Sequence, residues 1–319
     1  MLLIVASILV LMFLNLVLGS VSIPLKSVWN IICGLGDEPV TWQNIVWKSR
    51  LPQALTALVA GAGLAISGLQ MQTVFRNPLA GPSVLGISSG ASMGVAFVVL
   101  LSGNLGGVAL SKLGFMGEIA LSIAAVIGSL SVMALIVYVS QKVKGNVTLL
   151  IIGVMIGYVA NAVIGVLKFF SVEEDIRAYV IWGLGSFSRV SGNQMMLFVV
   201  IMAILIPLSF LLIKTLNLML LGDGYARNLG LNIKRARLLV ITSAGVLTAI
   251  VTAYCGPVIF LGLAVPHLCR AIFQTSDHRV LMPAVLFAGA ALALACNLIA
   301  RMPGFEGALP VNSVTALVG

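Results

Sequence analysis

The sequence predicts an all-α integral membrane protein of ten transmembrane helices folded as a single domain, 1–319. Three observations lead there. Of 319 residues, 60% are hydrophobic and only 8% charged, whereas an ordinary soluble domain carries about 25% charged residues. Eighteen basic and nine acidic side chains cannot solvate the surface of a globule this size. The charges also gather between long uncharged runs, a pattern that suits a bilayer and excludes intrinsic disorder.

Taken in order, those runs are 1–25, 51–75, 77–111, 119–141, 145–167, 190–213, 238–269, 280–300 and 307–319. About 20 helical residues cross the hydrocarbon core. The first run lacks the basic leader and short apolar core of a cleaved signal peptide, so it counts as a span. In 77–111, Pro78, Gly81 and Pro82 delay the helix until about Ser83. Run 238–269 is too long for one crossing and is broken by Gly256-Pro257. It divides into a full span ending near Cys255 and a short helix from Val258 to about Phe273. The last element, Leu309 to Gly319, reaches only half a bilayer and is expected to be truncated.

Placing the N-terminus inside puts ten basic residues against two acidic ones, Asp223 and Asp277, in the inner loops, five of the basic ones within 214–237. The outer side has eight basic residues against seven acidic. Excess Lys and Arg in cytoplasmic loops fits this orientation, and the formal charge of +9 then needs no nucleic acid. All nine acids fall in loops or at span borders, so no span carries the buried carboxylate that ion-coupled carriers use to relay protons or bind sodium. His267 and His278 make no metal or acid–base motif, and neither a nucleophile elbow nor a GxxxxGK[ST] phosphate loop is present. Cys33, Cys255, Cys269 and Cys296 have no zinc or redox spacing and read as packing residues. A stand-alone membrane enzyme and a gradient-driven carrier are both disfavoured, and active transport would need energy from a partner.

Two segments carry more. Ala57, Gly61, Ala65 and Gly68 recur at helical spacing and form a small-residue stripe that another helix can approach closely. The stretch Arg76, Asn77, Pro78, Leu79, Ala80 reads as an irregular turn at the inner surface, where Asn77 and Leu79 can narrow a passage. In 214–237, Asp223 reads as an N-cap, Tyr225, Ala226 and Leu229 as one side of a short amphipathic helix, and Gly230 as its end.

These residues resemble a family: the membrane permease subunits of ABC importers for iron-siderophore complexes, haem and vitamin B12. The similarity runs from Arg50, Leu51, Pro52 and the 61–91 segment, through Leu221 to Gly230, Phe260 to Arg270 and Asp277 to Arg279, to Leu309, Pro310 and Val314 to Ala316. The resemblance implies ten helices per subunit, two subunits around one path, two cytoplasmic ATPases and an extracytoplasmic binding protein, in the bacterial inner membrane. It makes Gly222, Asp223, Tyr225, Ala226, Arg227, Leu229 and Gly230 the ATPase-coupling segment. It places an inner gate at Asn77, Leu79, Asn146 and Val147, and binding-protein docking on Arg50 and Arg301, with Gln53 standing where some relatives have a further arginine. It implies no metal site or cofactor on this chain, with ATP and Mg on the ATPase. Ferric siderophore or haem is the first expectation for cargo; vitamin B12 and molybdate-type oxyanions stay open, as does a heterodimer in place of a homodimer. Asn297 departs from a frequent Asp, and Asn312 from a frequent Gly.

Overall fold

A computed structural model describes residues 1–36, 38–102, 115–143, 145–190, 192–302 and 309–318, and every regular element in them is helical. The expected spans correspond to α1 (Leu2–Val17), α4 (Leu51–Phe75), α5 (Ile87–Ser102), α6 (Phe115–Lys142), α7 (Asn146–Phe169), α9 (Gly192–Phe210), α12 (Ile233–Cys255), α13 (Leu261–Phe273), α14 (His278–Ala300) and α15 (Val311–Val318). Five helices among the described residues are long and apolar enough to cross a membrane, and α9 with α10 (Ile213–Leu220), bent by 46°, makes a sixth as one broken span. Helices α1, α5 and α13 are apolar but shorter.

Sequence periodicity missed the short helices α2 (Leu25–Cys33), α3 (Val40–Ile45) and α8 (Glu173–Gly183), whereas the short helix expected within 222–230 is present as α11 (Asp223–Asn228). A π-helical turn, Val46–Arg50, joins α3 to α4 without a break, so one continuous helical stretch reaches from Val40 to Phe75. The segment 214–237 is correspondingly no open loop. Helix α10 fills its first part, α11 its middle, and α12 begins at Ile233.

Helix α4 is the hub, buried along nearly its whole length and packed against α9, α12, α13 and α14. Its small residues explain how. A Cβ on Gly61 would sit 2.3 Å from the Gly289 carbonyl oxygen of α14, and one on Gly68 only 1.6 Å from the Gly262 carbonyl oxygen of α13. The stripe therefore works through backbone contact, the way helices pack tightly where lipid offers no hydrophobic drive between them. Polar cross-links reinforce it. Ser67 donates to the Ala244 carbonyl at 2.8 Å, and Gln72 Nε2 to the Leu263 carbonyl at 3.1 Å. Asn15 of α1 donates to the Leu294 carbonyl at 3.1 Å and accepts from Asn297 at 2.8 Å, so two neutral amides answer each other inside the bundle.

The break after Cys255 falls where Gly256-Pro257 predicts it. Gly256 adopts φ +78°, a left-handed value open to glycine, and a Cβ there would lie 2.7 Å from the Trp182 carbonyl. Ser186 N–H donates to the freed Cys255 carbonyl at 2.8 Å, and Asn312 Oδ1 accepts from Ile259 N–H at 3.4 Å. Asn312 thus ties the start of α15 to the broken segment.

Candidate coupling and gating site

Helix α4 ends in a Schellman motif. Arg76 takes φ +48°, its N–H bonds to the Thr73 carbonyl at 3.3 Å, and Asn77 N–H to the Gln72 carbonyl at 3.2 Å. Pro78 cannot continue a helix. Asn77 Oδ1 instead accepts from Leu79 N–H at 2.9 Å, closing a tight Asx turn that leaves Leu79 69% exposed. A polar turn with a projecting leucine at a membrane-helix end is suited to obstruct a passage. The other pair expected at the gate lies at the start of α7. Val147 is exposed there; Asn146 is the first residue of the helix, and its side chain lies outside the described residues.

The coupling segment folds on the same face of the bundle. Helix α11 starts after Gly222, whose φ of +97° turns the chain into it. Gly222 occupies the cap position, so the expected N-cap role of Asp223 is corrected: Asp223 is the first helical residue, and its carboxylate points to arginines. Oδ1 accepts from Arg76 Nη2 at 2.5 Å, and Oδ2 lies 3.6 Å from Arg237 Nη2 of α12. Arg76 Nη2 also donates to the Met219 carbonyl at 3.3 Å, at the end of α10. The helix ends in a second Schellman motif, Gly230 N–H to the Arg227 carbonyl and Leu231 N–H to the Ala226 carbonyl, with Gly230 at φ +85°. The expected common face is also corrected. Ala226 is fully buried against the protein, whereas Tyr225 and Leu229, four residues apart, stand out at 73% and 61% exposure with Arg227 beside them.

A second polar cluster holds this face together. His278, buried at the start of α14, lies 2.8 Å from Thr73 Oγ1 of α4 and 2.8 Å from Asn217 Oδ1 of α10. Asn217 Nδ2 donates to Asp277 Oδ1 at 2.6 Å, and Asp277 caps α14 by accepting from Arg279 N–H at 2.9 Å. Those two hydrogen bonds, the backbone one first, hold the Asp277 carboxyl below the usual carboxylate range. Asp277 to Arg279 therefore form the start of α14.

At the opposite end of the bundle the two arginines expected to face outward behave differently. Arg50 is only 1% exposed. Its Nη1 donates to the carbonyls of Leu16 at 2.8 Å and Val17 at 2.6 Å, and its Nη2 to that of Val21. A buried guanidinium here stabilises the unpaired carbonyls and negative dipole end of α1. The expectation that Arg50 lies on an exposed rim is thus corrected. Arg301, just past α14, is half-buried, and its Nη1 has no hydrogen-bond partner among the described residues. Burial, together with the nearby Arg50 guanidinium, lowers its pKa to about 10. Gln53 is buried and donates to Ser49 Oγ at 3.1 Å.

Sequence reasoning missed Arg76, Arg237 and Asn217 as site residues. Each was visible only as a charge or amide near the inner surface, and nothing in its spacing names its partner, 147 positions away for Arg76, 60 for Asn217 and 14 for Arg237.

A projecting polar turn is thus bound to a short exposed helix at one end of the bundle. The model of the FecCD transport family matches residues 7–319. This chain belongs to the FecCD transport family. It is 35% identical to the vitamin B12 import system permease protein BtuC of Klebsiella pneumoniae over 277 residues, 87% of this chain and 80% of that protein. It is 34% identical to the hemin transport system permease protein HmuU of Yersinia pestis over 307 residues, 95% and 87% of the two chains. A structure solved as an inward-facing conformation of a metal-chelate type ABC transporter superposes with a TM-score of 0.84 at 27% identity, covering 99% of this chain and 94% of that one. The protein is thus a multi-pass membrane permease and not an enzyme, and its family places ATP hydrolysis on a separate subunit and implies a binding protein.

Proposed function

We propose that two copies of this chain form the membrane passage of an ATP-driven importer that takes a metal chelate, a ferric siderophore or haem, from an extracytoplasmic binding protein across the bacterial inner membrane. Each copy crosses ten times, with α1, α5, α13 and α15 as short spans beside the longer ones. The N-terminus and α11 face the cytoplasm. The observation that carries this reading is the exposed Tyr225 and Leu229 pair on α11, an apolar handle held next to the turn at Asn77 and Leu79. Gly222, Asp223, Tyr225, Ala226, Arg227, Leu229 and Gly230 form the ATPase contact. ATP and Mg are held by the ATPase, and this chain carries no cofactor or metal. Leu79 and Asn77 with Asn146 and Val147 close the inner end of the path.

The surface of α7 supports a dimer around a path. Val147, Ile151, Val154 and Tyr158 follow one another along one exposed face. Next to it Ser83, Ser89, Tyr158 and Asn161 line a recess of about 250 Å³, polar enough for a solute to pass without being held. At the outer end Arg301, backed by the buried charge of Arg50, gives the positive potential that orients an acidic binding protein. Rim charges of this kind act more on encounter than on affinity. Likeness to BtuC keeps vitamin B12 as the second reading for cargo.

The test is uptake into liposomes holding the permease with its ATPase, fed by loaded binding protein. ATP-dependent uptake that collapses when Arg227 and Leu229 are changed supports the proposal; gradient-driven uptake by the permease alone overturns it. The absorption bands of the loaded binding protein distinguish haem, cobalamin and ferric chelates.

A further inference from the structure

We propose that Arg76 and Arg237, acting through Asp223, are positioning residues that make the coupling helix and the gate turn one mechanical unit. The inference rests on the reading of α11 as the ATPase contact and adds how its movement reaches the passage.

Helix α11 is short and, apart from the buried methyl of Ala226, its larger side chains point away from the bundle. Its first residue, Asp223, is nevertheless fixed from two sides: by Arg76 at 2.5 Å and by Arg237 at 3.6 Å. Arg76 is the residue at which α4 stops, covalently next to Asn77 of the gate turn, and it is itself anchored on the Met219 carbonyl that precedes α11. A displacement of Asp223 is therefore delivered to the backbone immediately before Asn77, and to α12 through Arg237.

An isolated pair of this exposure would contribute little, because solvent screens it and both side chains lose freedom. Three features set this pair apart. Arg237 is only 8% exposed, so one of the cations is held in place by packing. Arg76 sits in a left-handed conformation enforced by the Schellman bonds, so its direction is set by the end of α4. Asp223 is also the one acid among the described residues lining a cavity of about 400 Å³ whose other lining includes Lys142, Arg227, Lys234 and Arg237. Without its charge those cations face one another uncompensated, and α11 is pushed away from α12. The carboxylate thus has a function that packing cannot replace.

The test compares wild type, Asp223→Asn, Arg76→Gln and Asp223→Glu by hydrogen exchange on the permease in lipid nanodiscs, and by import per ATP hydrolysed in the assembled transporter. The expected result is that Asp223→Asn and Arg76→Gln raise exchange at least fivefold in 76–81 and 222–231 together, although the segments are far apart in sequence. Arg76→Gln, which lies outside the ATPase contact, still assembles with the ATPase and hydrolyses ATP, while its import per ATP falls tenfold or more. Asp223→Glu, which keeps the charge, stays within about threefold of wild type. The proposal is overturned if 76–81 keeps wild-type exchange while 222–231 loosens. It is equally overturned if the glutamate variant loosens as far as the asparagine one, since shape rather than charge would then hold the helix. Absence of ATP-dependent import by the wild-type complex would count against the proposed function instead, and the exchange arm decides the linkage without it.

Discussion

The two ends of the bundle handle their arginines in opposite ways. At the end that carries α11, Arg76 and Arg237 converge on a carboxylate, and the bridge joins three separate segments of chain. At the other end, burial and the nearby Arg50 guanidinium lower the proton affinity of Arg301, and among the described residues neither arginine has a carboxylate within 4 Å. Both terminal nitrogens of Arg50 donate to backbone carbonyls, while among the described residues its Nε, like Arg301 Nη1, has no hydrogen-bond partner. A compensated charge fixes a distance inside the chain. An uncompensated pair leaves a positive potential for something outside it, which suits one end for transmitting movement and the other for receiving a partner.

The largest expected effect that sharpens this contrast is at Arg50. Replacing it with alanine leaves the carbonyls of Leu16, Val17 and Val21 without their donor, and each buried charged hydrogen bond is worth about 1.5–3 kcal/mol. Arg50→Ala is expected to cost about 3 kcal/mol or more, read as a drop in thermal midpoint of the purified permease; an unchanged midpoint would show that α1 does not depend on it. Lysine is not expected to restore it, because one ammonium cannot reproduce the fork. A smaller loss, about 1 kcal/mol, is expected for Asn15→Ala, which removes the amide pair between α1 and α14; restoring stability by adding Asn297→Leu would separate the unpaired-amide cost from lost packing.

Arg301→Glu is expected to leave stability nearly unchanged and to weaken association with the binding protein about tenfold, an effect that fades as salt is raised. Equal binding by surface plasmon resonance at low salt would remove Arg301 from the docking surface. The smallest effect concerns Asp277. Its carboxyl titrates below the usual range when folded, so its contribution is present above the unfolded value of about 4 and is lost as pH falls through the lower folded value. The midpoint difference between wild type and Asp277→Asn should be constant above about pH 5 and close as the pH drops below about 4; a difference unchanged at pH 3 would assign the cap to geometry alone.

How much of this was legible in the sequence differs between the two ends for the same reason. Hydropathy runs located the long apolar helices, because apolar content is a local property of composition, and Gly256-Pro257 located the break because those residues restrict their own backbone. The glycine stripe on α4 showed that helices approach, yet not that Gly68 meets Gly262. At the coupling end, Gly230 and the position of α11 were readable from turn chemistry, while Asp223 looked like a cap because its partners, Arg76 147 positions before it and Arg237 14 positions after it on another helix, have no periodic relation to it. At the other end, Arg50 looked like a rim residue because it stands before Leu51-Pro52 at a helix boundary. Its burial follows from the π-turn and the course of α1, neither of which has a periodic signal. Helices α2 and α8 escaped because each is too short for its period to rise above the surrounding loop composition.

The central claim is that movement of α11 reaches the gate through Asp223. With the exposed Cys33 changed to serine, a spin label at Leu79 of each of two paired copies reports the width of the passage by pulsed dipolar spectroscopy in the assembled transporter. The account predicts that ATP changes this distance in the wild-type background and that the change is lost in Arg76→Gln, which breaks the bridge from outside the ATPase contact, while ATP is still hydrolysed. The same ATP-driven change in both backgrounds would contradict it.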